Sequence, residues 1–293
     1  MTDIIFTTIG QIFFLAMPFW LIGLGLLLSQ RAGILQWGGE GTVLLVSGLM
    51  LPLAGQGLGV ALSVAALVGI AMAIFYFFIS NLLKGSNLMA GIIVLLIGFA
   101  LQKILTPLSA INGPAPLAGT MLTGGFYYVA PYGIIILLLL VDYFLHHTRW
   151  GMIWRGMGSD PMVIKTLYPL RLLQLLATMV GGLLIGLGAG LLVMALHQGN
   201  ALLLTGQQSI ASFYTFGDGG FGWLSLLLVA VAGWSPRRLL LFSFCLAAII
   251  AIPLPYIVIY TAILMVLIIY LRRHSLYRNA PHCWRAFFLE NIP

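Results

Sequence analysis

The chain carries six acidic residues, thirteen lysines and arginines and five histidines in 293 positions. Each ionisable side chain inside an apolar stretch is therefore a candidate for chemistry. Glu40 is the first. It stands among Gly38, Gly39 and Gly41 at the start of an apolar segment. A charge at membrane depth is costly and faces protein or water rather than lipid, and glycines allow tight turns and close backbone approach. One reading is a broken helix beside a translocation path, marked by Gly39, Glu40 and Gly41, with the carboxylate bonding backbone N–H groups or gating. The other is a structural carboxylate that holds the turn, paired with Arg31. The structural role is the expected one as against direct substrate contact.

A second polar cluster falls in residues 197–238. His197, Gln198, Asn200, Gln207, Gln208, Tyr214 and Asp218 lie close together there. Amides beside aromatics suit a polar, uncharged ligand such as a sugar or nucleoside. Gln207, Gln208 and Asp218 are the candidate substrate or outer-gate residues, and an outer loop with a re-entrant turn is the alternative. His146 and His147 are adjacent, which is poor geometry for sharing a helix face, so they read as interfacial.

The third stretch, residues 148–171, is the longest polar interruption in the chain. It holds Arg149, Arg155, Lys165 and Arg171 but one acid, Asp160. Trp150, Ile153, Trp154 and Met157 recur at helical spacing. Gly156, Gly158 and Pro161 punctuate the segment after Trp154, and Ser159 or Asp160 is placed to cap a helix that begins at Pro161. Such a helix across the mouth of a bundle is a docking surface for a soluble partner; an anchored loop is the plainer alternative.

No catalytic constellation is present. The chain has no G-x-S-x-G, no H-E-x-x-H and no G-x-x-x-x-G-K-[ST], so a nucleotide-driven function needs a second chain. Its two cysteines, Cys245 in a span and Cys283 in a basic tail, predict neither a disulfide nor a metal site.

The elements that must position these residues follow from composition. The sequence is 61% hydrophobic and 6% charged, against about 25% charged in soluble domains. It reads as an all-α, polytopic membrane protein with about eight to nine membrane segments, since a span needs about 20 apolar residues. Spans are expected near residues 5–28, 39–53, 58–83, 88–105, 127–145, 172–196, 221–234 and 239–270. Pro253 and Pro255 would divide the last into two crossings. Residues 39–53 and 221–234 are short for full crossings, as segments that line a cavity or lie buried in protein are. The first span has no small-residue cleavage site and is expected to be retained.

The net charge of +7 sets topology and meets anionic lipid rather than nucleic acid. Residues 148–171 and the tail 272–293 are expected inside, together with Arg31, Lys84, Arg237 and Arg238. Lys103 then lies near the outer face, and the N-terminus is outside. Trp284, Phe287 and Phe288 suit one face of a tail helix on the inner membrane surface. Within GGLLIGLGAG, residues 181–190, Gly182, Gly186 and Gly190 fall four apart on one helix face. This is a small-xxx-small helix-packing surface, which Gly69 and Ala73 repeat weakly.

These stretches resemble the permease subunits of ATP-binding cassette importers in the branched-chain amino-acid, simple-sugar and nucleoside group. MPFWLIGLGLLLSQRAGILQWGGEGTVLLVSG, residues 17–48, is similar to the nucleoside-type pattern E-R-A-G-x-x-N-x-G-x-E-G-x-M-L-x-G-A. TRWGMIWRGMGSDP resembles the coupling segment T-x-x-G-x-x-x-R-A-x-G-x-x-P. GGLLIGLGAG and GGFGWLSLLLVAVAGWSP resemble two further motifs in the same order and spacing. The chain departs from the pattern at Gln30, at Gln36 and Trp37, over residues 162–165, and in the polar stretch before Gly219.

The resemblance implies a single transmembrane permease domain, residues 1–293, in a bacterial cytoplasmic (inner) membrane. It is non-catalytic, binds no cofactor, and pairs with a second permease subunit. Cytoplasmic ATPases carrying ATP and Mg would dock at Arg155, Gly156, Gly158, Ser159, Asp160 and Pro161. An extracytoplasmic binding protein would deliver a small polar solute. The alternatives are a stand-alone secondary transporter or channel, which the scarcity of intramembrane charge disfavours, and a polytopic membrane enzyme.

Overall fold

The computed structural model describes residues 2–53, 57–82, 87–111, 126–203 and 220–250, together with Pro281 and Cys283. The described residues form ten helices and no strands: α1 Thr2–Arg31, α2 Gly39–Leu53, α3 Leu58–Leu82, α4 Asn87–Ile111, α5 Phe126–His147, α6 Arg149–Ser159, α7 Pro161–Leu167, α8 Leu170–Leu203, α9 Phe221–Val231 and α10 Pro236–Ile250. The chain is an all-α, polytopic membrane protein. Among the described residues, four helices are long and apolar enough to cross a membrane. A fifth candidate is α5 with α6, bent by 74° at their junction. α2 and α9 are short apolar helices. α10 starts at Pro236, three residues before the expected span, because proline's fixed φ suits the first helical turn. The expected breaks at Pro253 and Pro255 lie outside the described residues.

The core is built on α1 and α8. In each, 72% of the apolar window is buried, against 28% in α3 and α4, whose outward sides carry Leu67, Phe78, Met89 and Leu96 exposed for lipid or another subunit to cover. Phe19, Trp20, Ile22, Leu24, Leu26 and Leu27 of α1 are wholly buried.

Small residues let these backbones approach, since there is no hydrophobic force between helices in lipid and close packing must replace it. α8 is glycine-lined on two faces. Gly182 and Gly186 press on the Gly69 and Ala65 carbonyls of α3, and Gly190 meets the Ala65 and Leu62 side chains. The other face belongs to α1: Gly181 lies on the Gly25 carbonyl and Ser29, and Gly188 on Pro18 and Ile22. The glycines of residues 181–190 thus pack helices within one chain, and Gly69 and Ala73 are their partners. A third close crossing joins α2 to α4, where Gly41 rests on the Val94 carbonyl and Gly98 on the Gly41 carbonyl. Gln102 Nε2 on α4 donates to Ser47 Oγ on α2 at 3.2 Å.

Of the tail, Pro281 is buried and Cys283 Sγ lies 3.7 Å from the Gln30 carbonyl oxygen. These two residues pack against the bundle; Trp284, Phe287 and Phe288, expected on the inner membrane surface, lie outside the described residues.

Candidate functional site

Two regions carry the polar groups that the sequence singles out. The first is the elbow formed by α5, α6 and α7. Thr148 makes the bend: its Oγ1 accepts from Gly151 N–H at 3.0 Å and donates to the Phe144 carbonyl at 2.6 Å. Gly151 lies directly on that carbonyl, where a Cβ would not fit. α6 ends and α7 begins at one residue. The Asp160 N–H donates to the Gly156 carbonyl at 2.9 Å, and its Oδ1 accepts from Val163 N–H at 3.4 Å. Asp160, rather than Ser159, is therefore the cap, and Pro161 opens α7.

One side of the elbow is fastened to α1. Trp154 Nε1 donates to the Leu28 carbonyl at 2.9 Å, and its ring meets Phe144 edge-on at 5.5 Å. Gly158 presses on the Arg31 carbonyl. Gly33, in the left-handed region at φ 88°, faces the Met157 carbonyl. Arg155 is half-buried, and its Nε has no partner among the described residues. The other side is bare and apolar: Met152, Met162, Val163 and Leu167 are each more than half exposed.

An ion pair joins the elbow to the bundle. Asp142, buried near the end of α5, accepts from Arg237 Nη2 of α10 at 2.6 Å. His146 Nδ1 lies 3.4 Å from the second carboxylate oxygen.

The second region is a junction of two short apolar helices. Past Arg31 the chain folds back along α1: Ile34 N–H donates to the Ser29 carbonyl at 3.1 Å, and Gly39 sits against Leu26. α2 then runs away from the elbow, and Met50 lies near Gly190. α9 starts beside Phe19, whose ring is 5.8 Å from that of Phe221. It runs toward the elbow, and beyond its end Trp234 reaches Gln30. The two helices therefore meet N-terminus to N-terminus, and Glu40 is at the meeting point. Its Oε2 accepts from Gly222 N–H at 2.6 Å and from Trp223 N–H at 3.2 Å.

α9 has no side-chain cap of its own, since Gly220 precedes it in the left-handed region. Glu40 supplies that cap from the first turn of α2. Two helix N-termini each carry roughly +0.5 charge, so one carboxylate answers both. Gly222 must be glycine, because a Cβ would come within 2.7 Å of Glu40 Cα. Trp37 and Trp223, both half-buried, flank the junction with ring centroids 5.4 Å apart. No group of three His, Cys, Asp or Glu side chains suited to a metal occurs among the described residues.

Against known proteins, the family model described as branched-chain amino acid transport system / permease component matches residues 8–273. The chain belongs to this permease family. The permease is also 25% identical over 252 residues to a Haloferax volcanii protein named provisionally as a glucose ABC transporter permease protein, TsgC13. That match covers 80% of this chain and 73% of the relative. No solved structure matches the chain. It is accordingly a multi-pass permease component of an ABC transporter, a family whose members work with ATPase and binding-protein partners.

The permease brings some sequence candidates together and leaves others apart. Arg155, Gly156, Gly158, Ser159, Asp160 and Pro161 share the elbow. Gly39, Glu40 and Gly41 share the junction, although Gly39 and Gly41 face the packed Leu26 and Val94. Arg31 does not pair with Glu40; its Nη2 donates to the Trp234 carbonyl at 2.8 Å. Gln207, Gln208 and Asp218 lie outside the described residues. Sequence reading missed Gly222 as the partner of Glu40, Arg237 as the partner of Asp142, and the α1-facing Gly181 and Gly188. Only the last pair left a local signal: seven residues apart, they lie on one helix face.

Proposed function

We propose that this chain is the membrane-spanning subunit of an ATP-driven importer, and that α6 and α7 dock on a separate cytoplasmic ATPase. The observation that carries this reading is the two-sidedness of the elbow. One side is fastened to α1 by Trp154 and Gly158, while Met152, Met162, Val163 and Leu167 stand exposed beside Arg149, Lys165 and Arg171. An apolar patch rimmed by basic residues at the cytoplasmic mouth suits a protein partner. ATP and Mg belong to that partner, and this chain binds no cofactor of its own. ATP-driven movement of the elbow would alternate the opening of the path, which requires the two states to bind the ATPase differently.

In this reading two permease subunits face one another across the path in a bacterial cytoplasmic membrane. An extracytoplasmic binding protein delivers a small polar solute, a simple sugar or nucleoside, to the outer loops that carry Gln207, Gln208 and Asp218. The relative named for glucose supports the sugar. The test is copurification of the ATPase with tagged wild-type permease and with a Met162→Asp/Leu167→Asp variant. The wild type is expected to retain the ATPase and the variant to lose it while still inserting. Equal recovery from both would contradict docking on α7.

A further inference from the structure

Trp234 holds a backbone conformation that bulky residues seldom adopt. Its φ is 55°, in the left-handed region where a side chain crowds the following carbonyl. The end of α9 does not demand this strain, because Gly233 (φ 60°) already supplies the left-handed residue that stops a helix. The strained residue is instead held at both ends by consecutive residues of α1. Trp234 Nε1 donates to Gln30 Oε1 at 2.6 Å, and its carbonyl accepts from Arg31 Nη2 at 2.8 Å. The residue is buried; its bond to Gln30 is made away from water, where losing a partner is costly, and its bond to Arg31 is part-buried. Backbone strain of this kind persists only where the surroundings enforce it.

The two ends of this arrangement reach both the elbow and the helix junction. Gln30 and Arg31 form the last turn of α1, where α6 rests through Trp154 on the Leu28 carbonyl and Gly158 on the Arg31 carbonyl. From Trp234, α9 runs as a buried rod to Gly222 and Trp223, which Glu40 holds. At 1.5 Å per residue that rod is about 16 Å long.

We propose that Trp234 is a positioning residue for coupling: gripped by Gln30 and Arg31, it ties displacement of α6 to α9 and so to the Glu40 junction. The inference rests on the reading of α6 and α7 as the ATPase dock and adds the route by which the elbow reaches the middle of the membrane. It gives the strained Trp234 a function that helix termination alone does not.

The test uses the assembled permease–ATPase complex and follows backbone amide exchange with and without trapping by Mg·ATP and vanadate. In the wild type, trapping is expected to change exchange both in α6 and at Gly222 and Trp223. Trp234→Phe keeps the ring and removes the Nε1 donor. Trp234→Gly relieves the strain and removes the side-chain bond to Gln30, leaving the backbone carbonyl for Arg31. Gln30→Leu leaves Trp234 in place and removes its acceptor. In all three, α6 is expected to respond as before while the response at Gly222 and Trp223 falls about fivefold or more, as loss of one buried hydrogen bond allows. A full response at Gly222 and Trp223 in Trp234→Phe and Gln30→Leu would overturn the inference alone. A wild-type complex in which α6 does not respond to trapping would overturn the coupling reading and this inference with it.

Discussion

Glu40 and Gly222 stand 182 residues apart in sequence, and the carboxylate of one takes the backbone N–H of the other at 2.6 Å. The bond fixes how two short helices meet. It needs a glycine on one side, because Gly222 lies against the Glu40 backbone. It needs an acceptor on the other, because Gly220 offers α9 no side-chain cap.

Substituting Glu40 separates hydrogen bonding from charge. Glu40→Gln keeps an acceptor oxygen and is expected to retain partial transport and most of the thermal stability. Glu40→Ala leaves the buried Gly222 N–H unpaired, at about 1–3 kcal/mol, and the part-buried Trp223 N–H with it, and is expected to lose far more of both. Thermal unfolding of the purified permease and uptake assays check this. Equal, complete loss of uptake in the two variants would show that the negative charge itself is obligatory.

The glycine face of α8 predicts a graded response. A Cβ at Gly186 would meet the Ala65 carbonyl, which is backbone and cannot yield. At Gly190 it would meet side chains alone, Ala65 and Leu62 at 3.2 Å and Met50 at 3.7 Å. Gly190→Ala is therefore expected to cost less than a Cβ at Gly186, since no backbone atom stands in its way. Gly186→Leu should cost about 1–3 kcal/mol or more through overpacking and reduce the amount of folded permease. Yield and melting temperature of the two variants report this, and a stable Gly186→Leu would mean that α3 and α8 can separate without harm.

The Asp142–Arg237 pair predicts a local effect. Asp142 is buried while Arg237 is largely exposed, so the contribution of the pair is screened on the arginine side. Asp142→Asn is expected to leave insertion intact and to loosen α10 against α5. A bifunctional thiol reagent long enough to span an Arg–Asp pair, applied to cysteines placed at those two positions, would detect the contact in membranes; failure to cross-link would show that the helices do not meet there.

The fold was legible where the signal is local. The glycine run before an apolar stretch marks the start of α2 at Gly39, and the Ser-Asp-Pro sequence marks the break between α6 and α7. Each of these is written within a few residues, through turn chemistry and capping. The partners of Glu40, Asp142 and Trp234 were not legible, because each is chosen by packing of segments far apart in the chain. Arg31 shows the limit well. As the nearest cation in sequence it was the expected partner of Glu40, yet it points to the Trp234 carbonyl. A backbone acceptor carries no sequence signature, so neighbouring charges alone misdirect the assignment.

The central claim is that residues 148–171 transmit ATPase movement to the permease, and Asp160 tests it most directly. Asp160→Pro removes the N–H that closes α6 on Gly156 and the carboxylate that caps α7, a local loss of about 1 kcal/mol or more in helix stability. Arg155→Lys keeps the charge but not the planar, multiply bonding guanidinium. Membrane insertion, copurified ATPase and substrate-stimulated hydrolysis are measured for both variants in one preparation. The account predicts that both insert normally, that Arg155→Lys retains the ATPase with reduced stimulated hydrolysis, and that Asp160→Pro loses the ATPase. Full ATPase recovery and full stimulated hydrolysis in Asp160→Pro would contradict it and reduce the segment to a connecting loop.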